Sequence, residues 1–232
     1  MFDIDGTLIR WQLYHAVADA LAKQGIIDAK TYATIRDARM KWKRRTHEES
    51  FKDYEKRLVA TYETLLTKLT TQQFEAAAQV VFEEYKDQVY TYTRDLIKTL
   101  KRKGYTLLAI SGSQTEIVQK IADYYGFDDC VGSDYHQKKG RFTGEKTLTL
   151  GAKDKVLQSL VTKHGLSLSG SIAVGDSDSD IAMLNTVEQP IAFNPEKKLF
   201  AHAKAMGWKI VVERKNMVYE LESSGGTYEL IL

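Results

Sequence analysis

Residues 105–113 read Tyr105-Thr106-Leu107-Leu108-Ala109-Ile110-Ser111-Gly112-Ser113, a short apolar run that breaks into three small residues. Such a run predicts a buried strand over Tyr105–Ile110 and a turn at Ser111-Gly112-Ser113. A helix is expected next, from about Thr115 to Tyr125. The same alternation continues downstream. Asp129–Gly132 reads as a strand, His136–Thr143 around Gly140 as a polar hairpin, and Ala152–His164 as a helix. Ser171–Val174 is a further predicted strand, turning at Gly175-Asp176 into a helix from about Asp178. Gln189–Phe193, a helix over Glu196–Met206 and Lys209–Val212 complete the series. Strands that alternate with helices imply an α/β fold, a doubly wound parallel sheet with helices on both faces. Ligands bind such sheets beyond the carboxyl ends of the strands.

Upstream the pattern changes. Neither glycine nor proline occurs between Thr31 and Lys103, which predicts mostly helix. Phe51, Tyr54, Leu58, Tyr62, Leu65 and Leu69 step by three or four, as one helix face requires. Phe74, Ala78, Val81, Tyr85 and Val89 repeat the pattern, and Leu13, Val17 and Leu21 give a shorter version. Gly25 with Asp28, and Thr70-Thr71, read as breaks and caps. Residues 11–90 are therefore expected to form a helical bundle inserted between residues 1–10 and 91–214 of the α/β core. Residues 215–232 read as a C-terminal tail. Within it Ser223-Ser224-Gly225-Gly226 looks like a flexible joint before Thr227–Leu232, a segment to pair with a sheet edge or fray.

Composition narrows the function classes. The 232 residues are 43% hydrophobic and 28% charged, which excludes a disordered chain or a coiled-coil rod. Thirty-three basic against 31 acidic residues give +2, too balanced for a protein that wraps nucleic acid. One cysteine, Cys130, excludes an internal disulfide and a thiolate metal cluster, and is expected to be buried on a strand. No apolar run approaches the roughly 20 residues of a membrane span. Charges from Asp3 onward argue against a secretory signal, so a cytoplasmic location is expected. Oligomeric state is open.

Four polar constellations stand where predicted strands end. Phe2-Asp3-Ile4-Asp5-Gly6-Thr7-Leu8 places two aspartates at i and i+2 as an apolar stretch enters a Gly-Thr turn. Alone it reads as an Asp-Gly hairpin turn, yet two close carboxylates resist joint ionisation unless a cation compensates them. Ser111-Gly112-Ser113 offers a hydroxyl and amides suited to phosphate oxygens, though alone it is a common loop. Lys153 opens a helix after Gly151-Ala152, where a single lysine is ordinarily solvated. Ser171–Val174 runs into Gly175-Asp176-Ser177-Asp178-Ser179-Asp180. Its Asp-x-Asp-x-Asp spacing invites a calcium loop, but Ile181 and Val187 stand where that loop needs a glycine and a bidentate glutamate.

In this order the four resemble the haloacid dehalogenase-like phosphohydrolase superfamily, from Phe2 to about Arg214. Asp-x-Asp-Gly-Thr-Leu is the specific signature; the Ser, Lys and Gly-Asp-x-x-x-Asp elements are strong only as an ordered set. The helical insert after the first motif is similar to the phosphoserine-phosphatase-like subfamily. The resemblance implies a Rossmann-like core with an α-helical cap, and a Mg²⁺-dependent phosphatase for a small phosphorylated metabolite. It implies Asp3 as the nucleophile that becomes an aspartyl-phosphate, and Asp5 as general acid and then base. Mg²⁺ would take Asp3, the Asp5 carbonyl and Asp176. Gly6, Thr7, Ser111 and Gly112 would line the phosphoryl site, and Lys153 would neutralise its charge. Lys155 is the rival for that role; ungapped spacing to Gly175-Asp176 favours Lys153. Asp180 is expected to orient Lys153 or a metal-bound water. The motifs do not separate a hydrolase from a phosphotransferase to an acceptor alcohol. A non-catalytic module binding anions or lipid on the same fold is the alternative of another class.

Several positions depart from the pattern or read as structural. Gln12 is neutral where phosphoserine phosphatases carry a cap glutamate for the substrate ammonium, and Ser179 stands where their fourth motif usually has asparagine. Both weigh against phosphoserine as substrate. Arg57 in the insert is a candidate for an anionic substrate group. Only Met1 and Phe2 precede Asp3, so the first strand is either truncated or unusually short, with ladder bonds lost. Arg36, Arg39, Lys41, Lys43, Arg44 and Arg45 form a basic run that could act by charge on a membrane or nucleic acid, but Glu48, Glu49, Asp53 and Glu55 follow at once, and a solvated, salt-bridged face of the insert is expected. Trp11 and Trp42 either line a cleft or pack in a core. His15, His47, His136, His164 and His202 show no ligand spacing.

Overall fold

The computed structural model describes residues 1–225 and 227–231, in two compact units. In chain order the elements are α1 (Leu13–Lys23), α2 (Ala29–Lys43), α3 (Ser50–Leu66), α4 (Thr71–Tyr85), α5 (Thr91–Arg102), β1 (Leu108–Gln114), α6 (Thr115–Tyr125), β2 (Asp129–Lys138) and β3 (Arg141–Thr147). They continue with α7 (Lys153–Lys163), β4 (Ile172–Gly175), α8 (Ile181–Leu184), β5 (Gln189–Phe193), α9 (Lys197–Met206), β6 (Lys209–Arg214), β7 (Met217–Ser224) and β8 (Thr227–Ile231).

The first unit comprises Met1–Gln12, Glu84–Ser133 and Leu148–Leu232. Its sheet runs β2, β1, the segment at Phe2, then β4, β5, β6, β7 and β8. The pairs β1–β2, β4–β5 and β5–β6 are parallel. Phe2 pairs in parallel with Ala109 on one side and Val174 on the other. This mixed α/β sheet with parallel central strands is the architecture that the strand-helix alternation implies.

The segment at Phe2 is paired on both sides. Phe2 N donates to Leu108 O at 2.9 Å and Phe2 O accepts from Ile110 N at 3.0 Å. Asp3 N donates to Val174 O, and Met1 O accepts from Val174 N. Phe2 and Ile4 have no exposed surface, each burial contributing roughly 1.5–3 kcal/mol. Because strand side chains alternate, Leu108, Ile110, Ala173, Ala192 and Ile210 share a core with Leu157 and Leu160 of α7, Met183 and Leu184 of α8 and Leu199 and Ala203 of α9. On Phe193, next to Ala192, Tyr92 of α5 stacks at 5.8 Å.

Two boundaries differ from the sequence reading. The tail is strand: β7 and β8 extend the sheet antiparallel from β6, with Leu221 between Ile210 and Leu230. The period-two pattern Met217-Val218-Tyr219-Glu220-Leu221-Glu222 carries it, and Tyr228 OH bonds Ala203 O and Trp208 O. Gly226, in the expected joint, and Leu232, at its end, lie outside the described residues. The helix expected from Asp178 is a 3₁₀ turn over Asp178–Asp180 followed by the four-residue α8.

The second unit comprises Leu13–Glu83 and Asp134–Thr147. The hairpin over residues 134–147 thus leaves the 91–214 core to which the sequence reading assigned it, while residues 84–90 leave the helical insert for the first unit. The physical reason for the hairpin is its apolar residue. Phe142 is buried edge-on against Phe74 of α4 at 5.5 Å, and Thr71 N donates to Gly140 O. Thr70 and Gln73 form a reciprocal cap that starts α4: Gln73 N donates to Thr70 Oγ1 and Thr70 N to Gln73 Oε1. Asp28 caps α2 through Thr31 N at 2.9 Å.

A buried polar network ties α1, α2 and α3 together. Arg39 holds Asp19 in a fork at 2.8 and 2.7 Å and donates through Nε to Tyr54 OH at 2.8 Å. Tyr54 OH also lies 3.2 Å from His15 Nδ1, a hydrogen bond that joins α1 to the pair. Burial, with Arg39 adding to it, pushes the His15 pKa down to about 3. Of the basic run, Arg39 pairs with Asp19 rather than with the acids at 48–55, while Arg36, Lys41, Lys43, Arg44 and Arg45 are exposed. The solvated face expected for the run is what these five residues present. Trp42 stacks parallel on Tyr54 at 5.5 Å, within this packing. Asp19→Ala is expected to lower stability by about 2 kcal/mol, read as a lower urea midpoint, because it strands the half-desolvated guanidinium of Arg39.

Candidate active site

The first-motif turn brings Asp3 and Asp5 out of the Phe2 segment at the carboxyl end of the sheet. Gly6 has φ +82°, and Leu8 N and Ile9 N both return to Ile4 O at 2.9 Å. A Cβ on Gly6 would lie 2.2 Å from Asp176 Oδ2, so the turn needs glycine for its backbone and for that carboxylate. Gly175 is required by close approach alone, since its Cβ would lie 2.6 Å from Asp180 Cβ. Gly6→Ala is expected to cost about 1–2 kcal/mol in backbone strain. It also pushes the Asp176 carboxylate out of its place, since the added carbon would overlap Oδ2.

Lys153 is the centre of the cluster. It is 2% exposed, and its Nζ lies 2.7 Å from Asp3 Oδ1 and 2.6 Å from Asp180 Oδ1. Lys155 is exposed. Burial opposes the charge of Lys153, but Asp180 and Asp3 outweigh it and hold its pKa above the ordinary lysine value. Asp180 has no exposed surface, and its second oxygen accepts from Asp176 N, Ser177 N and Ser177 Oγ. That carboxylate is thereby committed to holding Lys153 and the Gly175-Asp176 turn.

One ammonium does not balance the cluster. Ligand atoms of Asp3, Asp176 and Asp180 lie within 4.8 Å of one another. Burial raises the Asp3 carboxyl to about 7, Asp180 and Asp5 adding to the rise and Lys153 opposing it. Burial, then Asp3 and Asp180, likewise push Asp176 well above the usual carboxylate range. Asp3 Oδ2 accepts no hydrogen bond among the described residues, and Asp176 takes Thr7 Oγ1 only at Oδ1, 3.3 Å away. Hard oxygen donors crowded against their own charge fit Mg²⁺, which would relieve what Lys153 leaves uncompensated.

Asp5 sits on the other side of the motif. Ser111 Oγ donates to its Oδ2 at 2.6 Å and Ser113 Oγ to its Oδ1 at 3.1 Å. Gly112 faces Leu150, whose Cδ2 would be 2.9 Å from an added Cβ. The expected turn at Ser111-Gly112-Ser113 is in fact the end of β1, whose pairing with β2 is irregular between Ile110 and Gln114. Two residues of this site escape the sequence reading, and Ser113 enters it only as part of the turn. Ser113 shares a strand face with Ser111, a signal present in the spacing. Thr149, which donates to Ser111 O at 2.5 Å, and Thr93, which donates to Thr7 O at 2.9 Å, have no local signature.

Gln12 belongs to the same unit and is half-buried. Arg57 belongs to the helical unit, on α3, where with Lys41 and Lys56 it lines a cleft of about 680 Å³ against α2.

A model of the haloacid dehalogenase-like hydrolase family matches residues 1–185. The chain is 33% identical over 104 residues to a phosphoserine phosphatase of Streptomyces coelicolor, covering 44% of this chain and 25% of that one. It is 25% identical over 226 residues to a histidinol-phosphatase of Neisseria meningitidis, covering 91% and 96%. The chain spans about a quarter to a half of the length of the curated phosphoserine phosphatases it matches. In fold it is similar to a phospho-aspartyl intermediate analogue of phosphoserine phosphatase, with a TM-score of 0.61 at 22% identity over 92% of each chain. The family match runs through all four motifs, from Asp3 to Asp180, and the chain belongs to the haloacid dehalogenase-like hydrolases.

Proposed function

We propose that the protein is a Mg²⁺-dependent phosphatase that hydrolyses a small phosphomonoester through an aspartyl-phosphate. The observation that carries this reading is Lys153, buried between Asp3 and Asp180 beside an Asp5 held by two serine hydroxyls. Asp3 Oδ2, the oxygen that Lys153 does not occupy, attacks phosphorus and the ester oxygen leaves with a proton from Asp5. Asp5 then takes a proton from the water that attacks the aspartyl-phosphate, and inorganic phosphate is released. Lys153 spreads the charge of Asp3 and of the phosphoryl oxygens, while Ser111 and the amides beside Gly112 hold one of those oxygens. Asp3, the Asp5 carbonyl and Asp176 would hold Mg²⁺, which supplies charge neutralisation at the phosphoryl group.

The substrate class is a small phosphorylated metabolite. Neutral Gln12 argues against the ammonium contact of a phosphoserine site, and one relative aligned over nearly its whole length is a histidinol-phosphatase. Histidinol phosphate therefore heads the panel, with phosphoserine beside it. Phosphate release with Mg²⁺, and its loss with chelator, is the expected result. Folded protein that turns over no ester at any Mg²⁺ concentration would sink the reading. Adding acceptor alcohols and looking for a new phosphoester separates hydrolysis from phosphotransfer.

A further inference from the structure

We propose that Ser113 is a positioning residue for Asp5, which rests on the phosphatase reading above. Ser111 Oγ has one proton. It accepts from Ser113 N at 3.0 Å and gives that proton to Asp5 Oδ2. Once a phosphoryl oxygen takes the Ser111 proton, the Ser111 bond to Asp5 Oδ2 is given up. Ser113 is 2% exposed, and its hydroxyl meets the other oxygen, Oδ1, so it keeps its hold while Ser111 turns to substrate. The loop itself is fixed from behind: Thr149 Oγ1 donates to Ser111 O at 2.5 Å and Ser133 Oγ to Gly112 O at 2.8 Å. With Oδ1 anchored by Ser113, Oδ2 is the oxygen that carries the proton to the leaving group.

General acid catalysis is worth about 10²–10⁴-fold and depends on geometry before pKa. Its value also grows as the leaving group worsens, since a stable anion departs without a proton. The test compares kcat/KM for phenyl phosphate with that for the better-leaving p-nitrophenyl phosphate, because this parameter stops at phosphoryl transfer. For Ser113→Ala the fall on phenyl phosphate is expected to exceed that on p-nitrophenyl phosphate by about tenfold or more. Ser113→Thr, which restores the hydroxyl, is expected to bring the ratio back to within about threefold of the parent. Circular dichroism checks that both variants are folded. Equal losses on the two esters, no loss, or a threonine variant that behaves as alanine overturns the proposal. A parent protein that hydrolyses no ester at all, or an Asp3→Asn variant that still does, overturns the phosphatase reading and this proposal with it.

Discussion

Asp3→Asn is expected to lower phosphate release by at least about 10⁴-fold while leaving a protein that, without Mg²⁺, melts at the same temperature or higher. The two halves of this result test different links. Loss of turnover follows because an amide oxygen is a poor nucleophile toward phosphorus. Retained stability follows from the charge count: Asp3 and Asp176 crowd a site with a single ammonium, and burial has raised the Asp3 carboxyl to about 7. A group whose folded pKa lies above its unfolded value near 3.8 stabilises the fold below about pH 4, and that contribution is lost as pH rises through 7. In chelator, the parent should therefore lose melting temperature between pH 4 and 7 relative to Asp3→Asn. Mg²⁺ should close that gap most at pH 7, where the carboxylate is ionised. A parent and variant with parallel pH profiles would mean that Asp3 carries no excess charge burden.

Much of this arrangement is legible in the sequence because chain order preserves it. Gln189–Phe193 is a strand over the predicted residues, since an apolar run bounded by turns has few other options inside an α/β sheet. The reading of 105–110 is shifted by three or four residues for a reason that lies elsewhere in the chain. Tyr105 is 38% exposed, while Ser111, Ser113 and Gln114 are buried, and the serines bond Asp5, more than a hundred positions away. No local window contains that partner. The 134–147 hairpin is similar: only Phe74 makes sense of Phe142. At the site, residue types and their order are readable, but distances are not. Lys153 and Lys155 differ by two positions on one helix; spacing to Gly175-Asp176 favours Lys153, and burial separates them. The basic run looked paired because acids follow it closely; Arg39 instead reaches Asp19, twenty residues earlier.

Lys153→Met is expected to cost about 3–5 kcal/mol, a fall of roughly 6–20 °C in melting temperature, and to abolish turnover. Methionine fits the volume of the stem, so the loss is electrostatic rather than a cavity. Removing the ammonium leaves Asp3 and Asp180 facing each other with side chains 5% and 0% exposed, and taking one partner from a buried group strands the rest. Three comparisons give the effect its cause. Lys155→Met, on the exposed side of the same helix, should stay within about 0.5 kcal/mol of the parent. Mg²⁺ should return part of the lost stability, because a divalent ion would relieve the same carboxylates, whereas it cannot replace the contact proposed between Lys153 and the phosphoryl group. Adding Asp180→Asn to Lys153→Met should also recover stability without activity: the amide oxygen still accepts from Asp176 N and Ser177 N, and one stranded charge is gone. If the double variant is no more stable than the single one, Asp180 is not a carboxylate that Lys153 keeps in the core. The buried ammonium would then be anchored by Asp3 alone, and the fourth motif would serve the turn at Gly175 rather than the lysine.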